Sequence, residues 1–255
     1  MIRVLIWLFM LALPAAAAVE GEQIVAGLSQ SQVSITADFG GSEILIYGAV
    51  RRESPAPKGT RLDVIITVEG PSTALTVRRK DRLYGIWANN AQIIVDRAPS
   101  FYAVATSGPL LEVLSYTEDL RHKITIPRAI RAVGIAAEAD AATLFVDALL
   151  RIRAAEGRYS LAAGSVALTE ETLFRADIEL PANLTEGDYR VRIFLTRGGA
   201  VVDMLERSIS VRKEGLERFF FRLAHDQPLV YGLLSLALAV GAGWGASAAF
   251  RLIRP

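Results

Sequence analysis

The chain has 255 residues, 28 basic and 27 acidic side chains and a formal net charge of +1. That balance excludes a bulk electrostatic attraction to nucleic acid, and the length accommodates a sizeable core. The complete lack of cysteine excludes disulfides, thiolate metal sites and thiol nucleophiles together. At the N-terminus, Arg3 supplies a short positive region, Val4 to Leu13 is an apolar run, Pro14 breaks it, and Ala15 to Ala18 offers small-x-small cleavage sites. This is the layout of a secretory signal peptide over 1–18, with a hydrophobic run too short to cross a bilayer.

Residues 19–115 read as an N-terminal β-sandwich domain. In LDVIITVE, Leu62, Val64, Ile66 and Val68 alternate with Asp63, Ile65, Thr67 and Glu69, the period of a strand with one buried face. QVSITADFGGSEILIYGAV predicts two strands about a Gly40-Gly41 turn. Leu75 to Val77, Tyr84 to Trp87, Gln92 to Val95 and Tyr102 to Thr106 are further short strands, a spacing that suits an Ig-like sandwich. Arg78 to Arg82, RRKDR, is the densest charge run and reads first as a solvated hairpin tip, with an anionic ligand or lipid headgroup as the alternative.

Residues 116–158 form a helical connector. Leu144, Phe145, Ala148, Leu149 and Ile152 share one helical face, Asp140 is placed to cap its start, and Gly157 to end it. Residues 159–213 are a second β unit. Phe174, Ala176, Ile178 and Leu180 alternate with polar residues up to Pro181; Tyr189, Val191, Ile193 and Leu195 make the next inward row; Gly198-Gly199 turns a hairpin into Val201 onward. This unit is either a small sandwich of its own or the completion of the first.

Residues 214–228 carry an apolar stripe of Leu216, Phe219, Phe220 and Leu223 beside Glu217, Arg218 and Arg222. That composition suits a juxtamembrane helix at the bilayer surface or a helix packed on the β body. Residues 229–250 contain no charge. At about 1.5 Å per residue they reach about 33 Å, matching a hydrocarbon core of about 30 Å, and predict one transmembrane helix. Pro228 opens it, Tyr231 sits near an interface level, and Arg251 and Arg254 lie in a short tail, 251–255. A cleaved signal and an arginine tail together place the body in the periplasm and the C-terminus in the cytoplasm, anchored in the inner membrane, although Arg218 and Arg222 oppose the charge rule slightly.

Taken together, "IVAGLSQSQVSITADFGGSEILIYGAV", "GIWANN", "APSFYAV", "LFRADIELPANLTEGDYRVRIFL" and "YGLLSLALAVGAGW" resemble the alphaproteobacterial transmembrane protein family over nearly all of the mature chain. The resemblance implies a signal peptide, a β-rich periplasmic body and one C-terminal span. It also implies an envelope accessory role beside sulfite-exporter-like membrane permeases, and it brings no catalytic residues.

The chemistry-bearing residues are sparse. His122 follows Glu118 and Asp119, with Asp119 and His122 spaced to share a helix face, but no second histidine stands near enough for a metal pair, and a solvated helix end is the simpler reading. His225 and Asp226 sit just before the span. Asp63, Glu69 and Asp81 are best explained as outward strand positions. No nucleophile elbow, zinc-protease, P-loop or dinucleotide fingerprint occurs, so catalytic, cofactor-binding and metal residues are all expected to be none, and the chain is not expected to be an enzyme. Asn183-Leu184-Thr185 matches a glycosylation sequon that a bacterial source would leave unused. Trp87, Phe101 and Tyr102 with Asn89 and Asn90 are partner-surface candidates, with Trp87 read preferentially as core. In the span, Ala237, Gly241, Gly245 and Ala249 recur every four residues beside a second row of Ala239, Gly243 and Ser247. Small residues at that spacing let a second helix approach closely, which predicts a membrane-protein partner in addition to the lipid bilayer. The leading expectation is a membrane-anchored interaction or accessory protein. The alternatives are a solute- or ion-binding domain that feeds a permease and, further back, an envelope enzyme.

Overall fold

A computed structural model describes residues 21–36, 39–53, 55, 59–131, 139–213, 220 and 223–253. The signal peptide at 1–18, most of the 214–228 segment including Arg218 and Arg222, and Arg254 and Pro255 lie outside the described residues. In chain order the elements are β1 (Gln23–Leu28), β2 (Gln32–Ile35), β3 (Ser42–Arg51), β4 (Leu62–Glu69), β5 (Ser72–Leu83), β6 (Ile86–Pro99), β7 (Tyr102–Thr106), α1 (Leu110–Val113), α2 (Tyr116–His122), α3 (Ile126–Ala129), α4 (Ala139–Ala155), β8 (Tyr159–Ala162), β9 (Ala167–Thr169), β10 (Leu173–Leu180), β11 (Gly187–Arg197), β12 (Ala200–Lys213) and α5 (Pro228–Ile253).

Two sheets face each other, one ordered β1-β3-β10-β9 and the other β2-β12-β11-β4-β7-β8. The inward row of β10, Phe174, Ala176, Ile178 and Leu180, meets Ile44, Ile46 and Val50 of β3 and the inward rows of β4 and β11 in one apolar core. Apolar alternation produces this layer directly, because each strand buries one side and the facing sheet covers it. The expected mainly β sandwich with a helical insert and one C-terminal helix is the architecture observed.

The second β unit completes the first. β10 pairs with β3 from Leu173↔Ala49 to Leu180↔Ser42, and β11 pairs with β4 from Arg190↔Glu69 to Arg197↔Leu62. Both sheets therefore contain strands from either side of the helical connector. A clasp of charges seals one end: Glu22 receives Arg52 Nε at 2.6 Å and Arg197 through Nη2 at 2.7 Å and Nε at 3.1 Å. These residues join the start of the body to the ends of β3 and β11.

Four expectations are corrected. The Gly40-Gly41 turn does not close a hairpin: β2 pairs with β12 in one sheet while β3 pairs with β1 and β10 in the other, so the chain crosses between layers there. β4 is buried on both faces. A second apolar cluster covers its outer side, where Ile65, Tyr102, Val104, Tyr159 and Phe194 pack against Val113, Leu114 and Ile124 of the helical segment. Tyr84 to Trp87 is not a strand of its own; Tyr84 (φ 51°) and Gly85 (φ 86°) form the turn of one long ribbon, β5–β6. In α4, Phe145 and Leu149 are buried against the ribbon's Val77 and Val95, but Leu144 and Ile152 remain exposed, because only part of the apolar face meets that cluster. The capping role expected of Asp140 lies outside the described residues.

α5 runs as one 26-residue helix from Pro228. Its most apolar stretch, Pro228–Ser247, is 0% buried in the chain, the condition of a rod whose solvent is lipid.

Candidate functional site

The outer face of the larger sheet concentrates the buried polar groups. On β11, Tyr189, Val191, Ile193 and Leu195 point into the sandwich core, which puts Arg190, Arg192, Phe194 and Thr196 on the opposite side. Register aligns Arg190 with Glu69 of β4, Glu69 with Tyr102 of β7, and Tyr102 with Tyr159 of β8. The Glu69 side chain is only 7% exposed. Its Oε1 accepts Arg97 Nη2 at 3.0 Å and Ser72 Oγ at 3.3 Å, and its Oε2 accepts Arg190 Nη2 at 2.5 Å. Arg192 donates through Nη1 to His122 O at 2.7 Å, and through Nη2 to the Tyr102 hydroxyl at 3.1 Å and Lys123 O at 3.3 Å. The Tyr102 hydroxyl in turn donates to Ile124 O at 2.9 Å. Burial pushes the Tyr102 phenol up to about 12, against the pull of Arg192, so it stays a neutral donor.

Beside Glu69 the surface opens into a cleft of about 460 Å³, lined among others by Ser72, Asp96, Arg97, Asp188 and Arg190. Its charges largely answer one another: Glu69 holds both arginines, and Asp188 accepts Ser210 Oγ at 3.0 Å and Arg212 Nη2 at 3.2 Å. Desolvation alone would raise the Glu69 carboxyl, but the Arg190 hydrogen bond and the charges of Arg190, Arg192 and Arg97 outweigh it and hold it below its ordinary 4.5. Glu22 follows the same pattern, with desolvation overcome by Arg197 and Arg52. A carboxylate with a depressed folded-state value adds stability above its unfolded value and loses it as pH falls through the folded one. The melting temperature is therefore expected to fall as pH drops from 5 towards 3, and Glu69→Gln is expected to flatten that slope; a pH series of thermal melts on both chains checks it. An unchanged slope in the variant would show that the Glu69 pairs do not drive the acid response.

Asp63, Glu69 and Asp81 do not converge, and the two on β4 lie on its outer face but are buried rather than solvated. Asp63 is buried at the other end of β4, accepting Ser107 Oγ at 2.7 Å. Asp81 lies on the ribbon and accepts Asn90 Nδ2 at 3.3 Å. The arginines that hold Glu69, Arg97 and Arg190, stand 28 and 121 positions along the chain, which no local pattern announces. His122 pairs with Glu118, Nε2 to Oε2 at 3.3 Å, and packs edge-on to Phe194 at 5.5 Å. Asp119 instead accepts the Ile124 and Thr125 amides at 3.1 and 2.8 Å, fastening the turn after α2.

The partner-surface group of the sequence splits. Phe101 is core, 6.1 Å from the Tyr189 ring, and Tyr102 is buried on the outer face. Trp87 is not core: it is 68% exposed near the ribbon turn, with Asn89 and Asn90 exposed beside it. The turn chemistry of Tyr84-Gly85, flanked by two long strands, was the signal for this placement. In α5, a Cβ built on Gly241, Gly243 or Gly245 meets nothing within 4 Å, and Ala237 is exposed. The backbone of Ala249 continues the helix, and its side chain lies outside the described residues.

A family model described as "Putative transmembrane protein (Alph_Pro_TM)" matches residues 23–252. The chain belongs to that family. With the exposed apolar helix Pro228–Ser247, the one candidate span among the described residues, membership makes this Alph_Pro_TM chain a membrane-anchored protein, as the resemblance implied. No curated protein matches the Alph_Pro_TM chain. Among solved structures, the sporulation control protein Spo0M from Bacillus subtilis is similar at 9% identity and a TM-score of 0.28, over 81% of this chain and 55% of that one. The Alph_Pro_TM chain thus spans about half of Spo0M, and a likeness at that score carries nothing for fold or function.

Proposed function

We propose that this protein is an anchored interaction or accessory subunit rather than an enzyme. Its sandwich sits on the periplasmic side of the inner membrane with the C-terminus in the cytoplasm, and α5 docks on a helix of a membrane partner such as a sulfite-exporter-like permease. The observation that carries the reading is the open small-residue face of α5, where Gly241 and Gly245 leave bare backbone for a second helix. Lipid packs as well on leucine, so only a protein neighbour gains from that groove. Gly241→Leu with Gly245→Leu is expected to weaken about tenfold an in-membrane photocrosslink to the partner while the body melts unchanged, since a loss of about 1.4 kcal/mol of helix packing is a factor of ten. A retained crosslink pattern would reject the docking.

The second reading, a solute- or ion-binding domain that feeds a permease, has the Glu69 cleft in its favour. It ranks behind the first because a bound ion would have to displace the Glu69 pairs with Arg97 and Arg190.

A further inference from the structure

The tip of the β5–β6 ribbon is covered by neither the sandwich nor α4. Tyr84 is fully exposed, Ile86 is 72% and Trp87 68% exposed. Burying such residues is what folding ordinarily achieves, and three together at the end of a ribbon call for something to cover them. Behind them on β5, Arg78, Arg79, Lys80 and Arg82 are all exposed, and no ion pair among the described residues engages them. The one carboxylate in the run, Asp81, is held by the Arg82 amide at 2.9 Å and by Asn90. Register sets Arg82 opposite Trp87 and Lys80 opposite Asn89. Amphipathic aromatic rings, an aliphatic side chain and unpaired cations on long stems are the composition of a bilayer interface, where the ring bodies enter the acyl boundary and the cations meet phosphates.

Topology places the root of this ribbon at the end of the sandwich from which the chain leaves for the span. β4 is antiparallel to β11, and β11 to β12, so β4 and β12 run the same way. Glu69, the last residue of β4, is opposite Arg190, which is opposite Ser208 of β12. The ribbon departs just beyond Glu69, at Gly70-Pro71, and β12 runs on past Ser208 to Lys213, where the chain leaves for Pro228 and the span. Ribbon root and membrane exit thus share one end of the sandwich. The stretch 214–227 joins them to the span and reaches at most about 50 Å when extended.

We propose that the ribbon tip docks on the anionic surface of the bilayer that holds α5, with Tyr84, Ile86 and Trp87 in the headgroup–acyl boundary and Arg78, Arg79, Lys80 and Arg82 on acidic headgroups. The inference rests on the anchoring of the chain and is independent of any partner of the span. Two attachments, a span and a ribbon tip, hold the sandwich in one orientation over the membrane.

The chain has no cysteine, so Tyr84→Cys gives a single labelling site. With an environment-sensitive NBD probe there, the full chain is reconstituted in phosphatidylcholine nanodiscs and in discs doped with phosphatidylglycerol. In the anionic discs the probe emission is expected to shift to the blue, to be quenched by spin-labelled lipid and to lose most of its iodide quenching. Changing Arg78, Arg79, Lys80 and Arg82 to glutamine is expected to lower the docked-to-free ratio about fivefold per charge removed, as added salt does. These side chains are exposed, so urea unfolding of each variant should match the parent and separate docking from folding. A probe as open to iodide in anionic discs as in micelles overturns the proposal. So does a probe shielded from iodide but untouched by lipid quencher, because a protein then covers the tip. Equal quenching in neutral and anionic discs overturns the commitment to acidic headgroups.

Discussion

Arg192→Ala is expected to remove about 3–5 kcal/mol of stability and to release the helical segment from the sheet. The side chain is buried, at 8% exposure, and its guanidinium reaches three acceptors at once: His122 O, Lys123 O and the Tyr102 hydroxyl. The first two are carbonyls at the C-terminal end of α2, where a helix runs out of its own donors and where a cation meets the negative end of the dipole. The same side chain lies over the Phe194 ring, 5.3 Å from its centroid, so truncation also opens a void beneath α2. Lysine should restore less than half of the loss, because one ammonium cannot fork to acceptors on two sides. Urea unfolding of the full chain in micelles measures the cost. Hydrogen exchange over residues 110–130 shows where it falls. A loss below about 1 kcal/mol, or uniform exchange, would mean that apolar packing alone seats the helices.

Gly48→Ala is expected to cost about 3 kcal/mol, and Gly48→Val to prevent folding of the body. Gly48 lies on β3 between β1 and β10, opposite Ala26 on one side and Phe174 on the other. A Cβ there would sit 2.5 Å from Phe174 Cζ, 2.6 Å from Val25 O and 2.9 Å from Ala26 Cβ. The ring could turn aside, but the carbonyl belongs to a paired backbone and can move only with its strand. Phe174→Leu in the Gly48→Ala chain is therefore expected to recover part of the stability and not all of it. A double-mutant cycle by urea midpoint reads that coupling, and full additivity would deny that the two positions share the space.

The extent to which these features were legible in the sequence follows from how burial leaves its trace. β10 was plain: Phe174, Ala176, Ile178 and Leu180 alternate with Arg175, Asp177 and Glu179, and the strand is buried on one side only. The inward row of β11 and the Gly198-Gly199 turn were equally plain, since both glycines adopt positive φ (58° and 80°) as such a hairpin needs. The long apolar helix was legible by length and by its lack of charge. β4 misled because Asp63, Thr67 and Glu69 look like a solvated face, yet each is buried. Trp87 misled in the other direction, since a lone tryptophan between short strand patterns is most often core.

Sequence by itself determined most of the local periods, the Gly198-Gly199 hairpin turn and the apolar C-terminal rod, because each depends on neighbours within a few residues. Only the tertiary structure decided that the two β units interlock, that the helical segment roofs the outer face of β4 and β11, and that the ribbon tip stands bare. Those outcomes depend on which distant segments cover a strand's second side. Glu69 is 7% exposed and charge-matched by Arg97 and Arg190, and a two-residue period carries no record of partners that far along the chain.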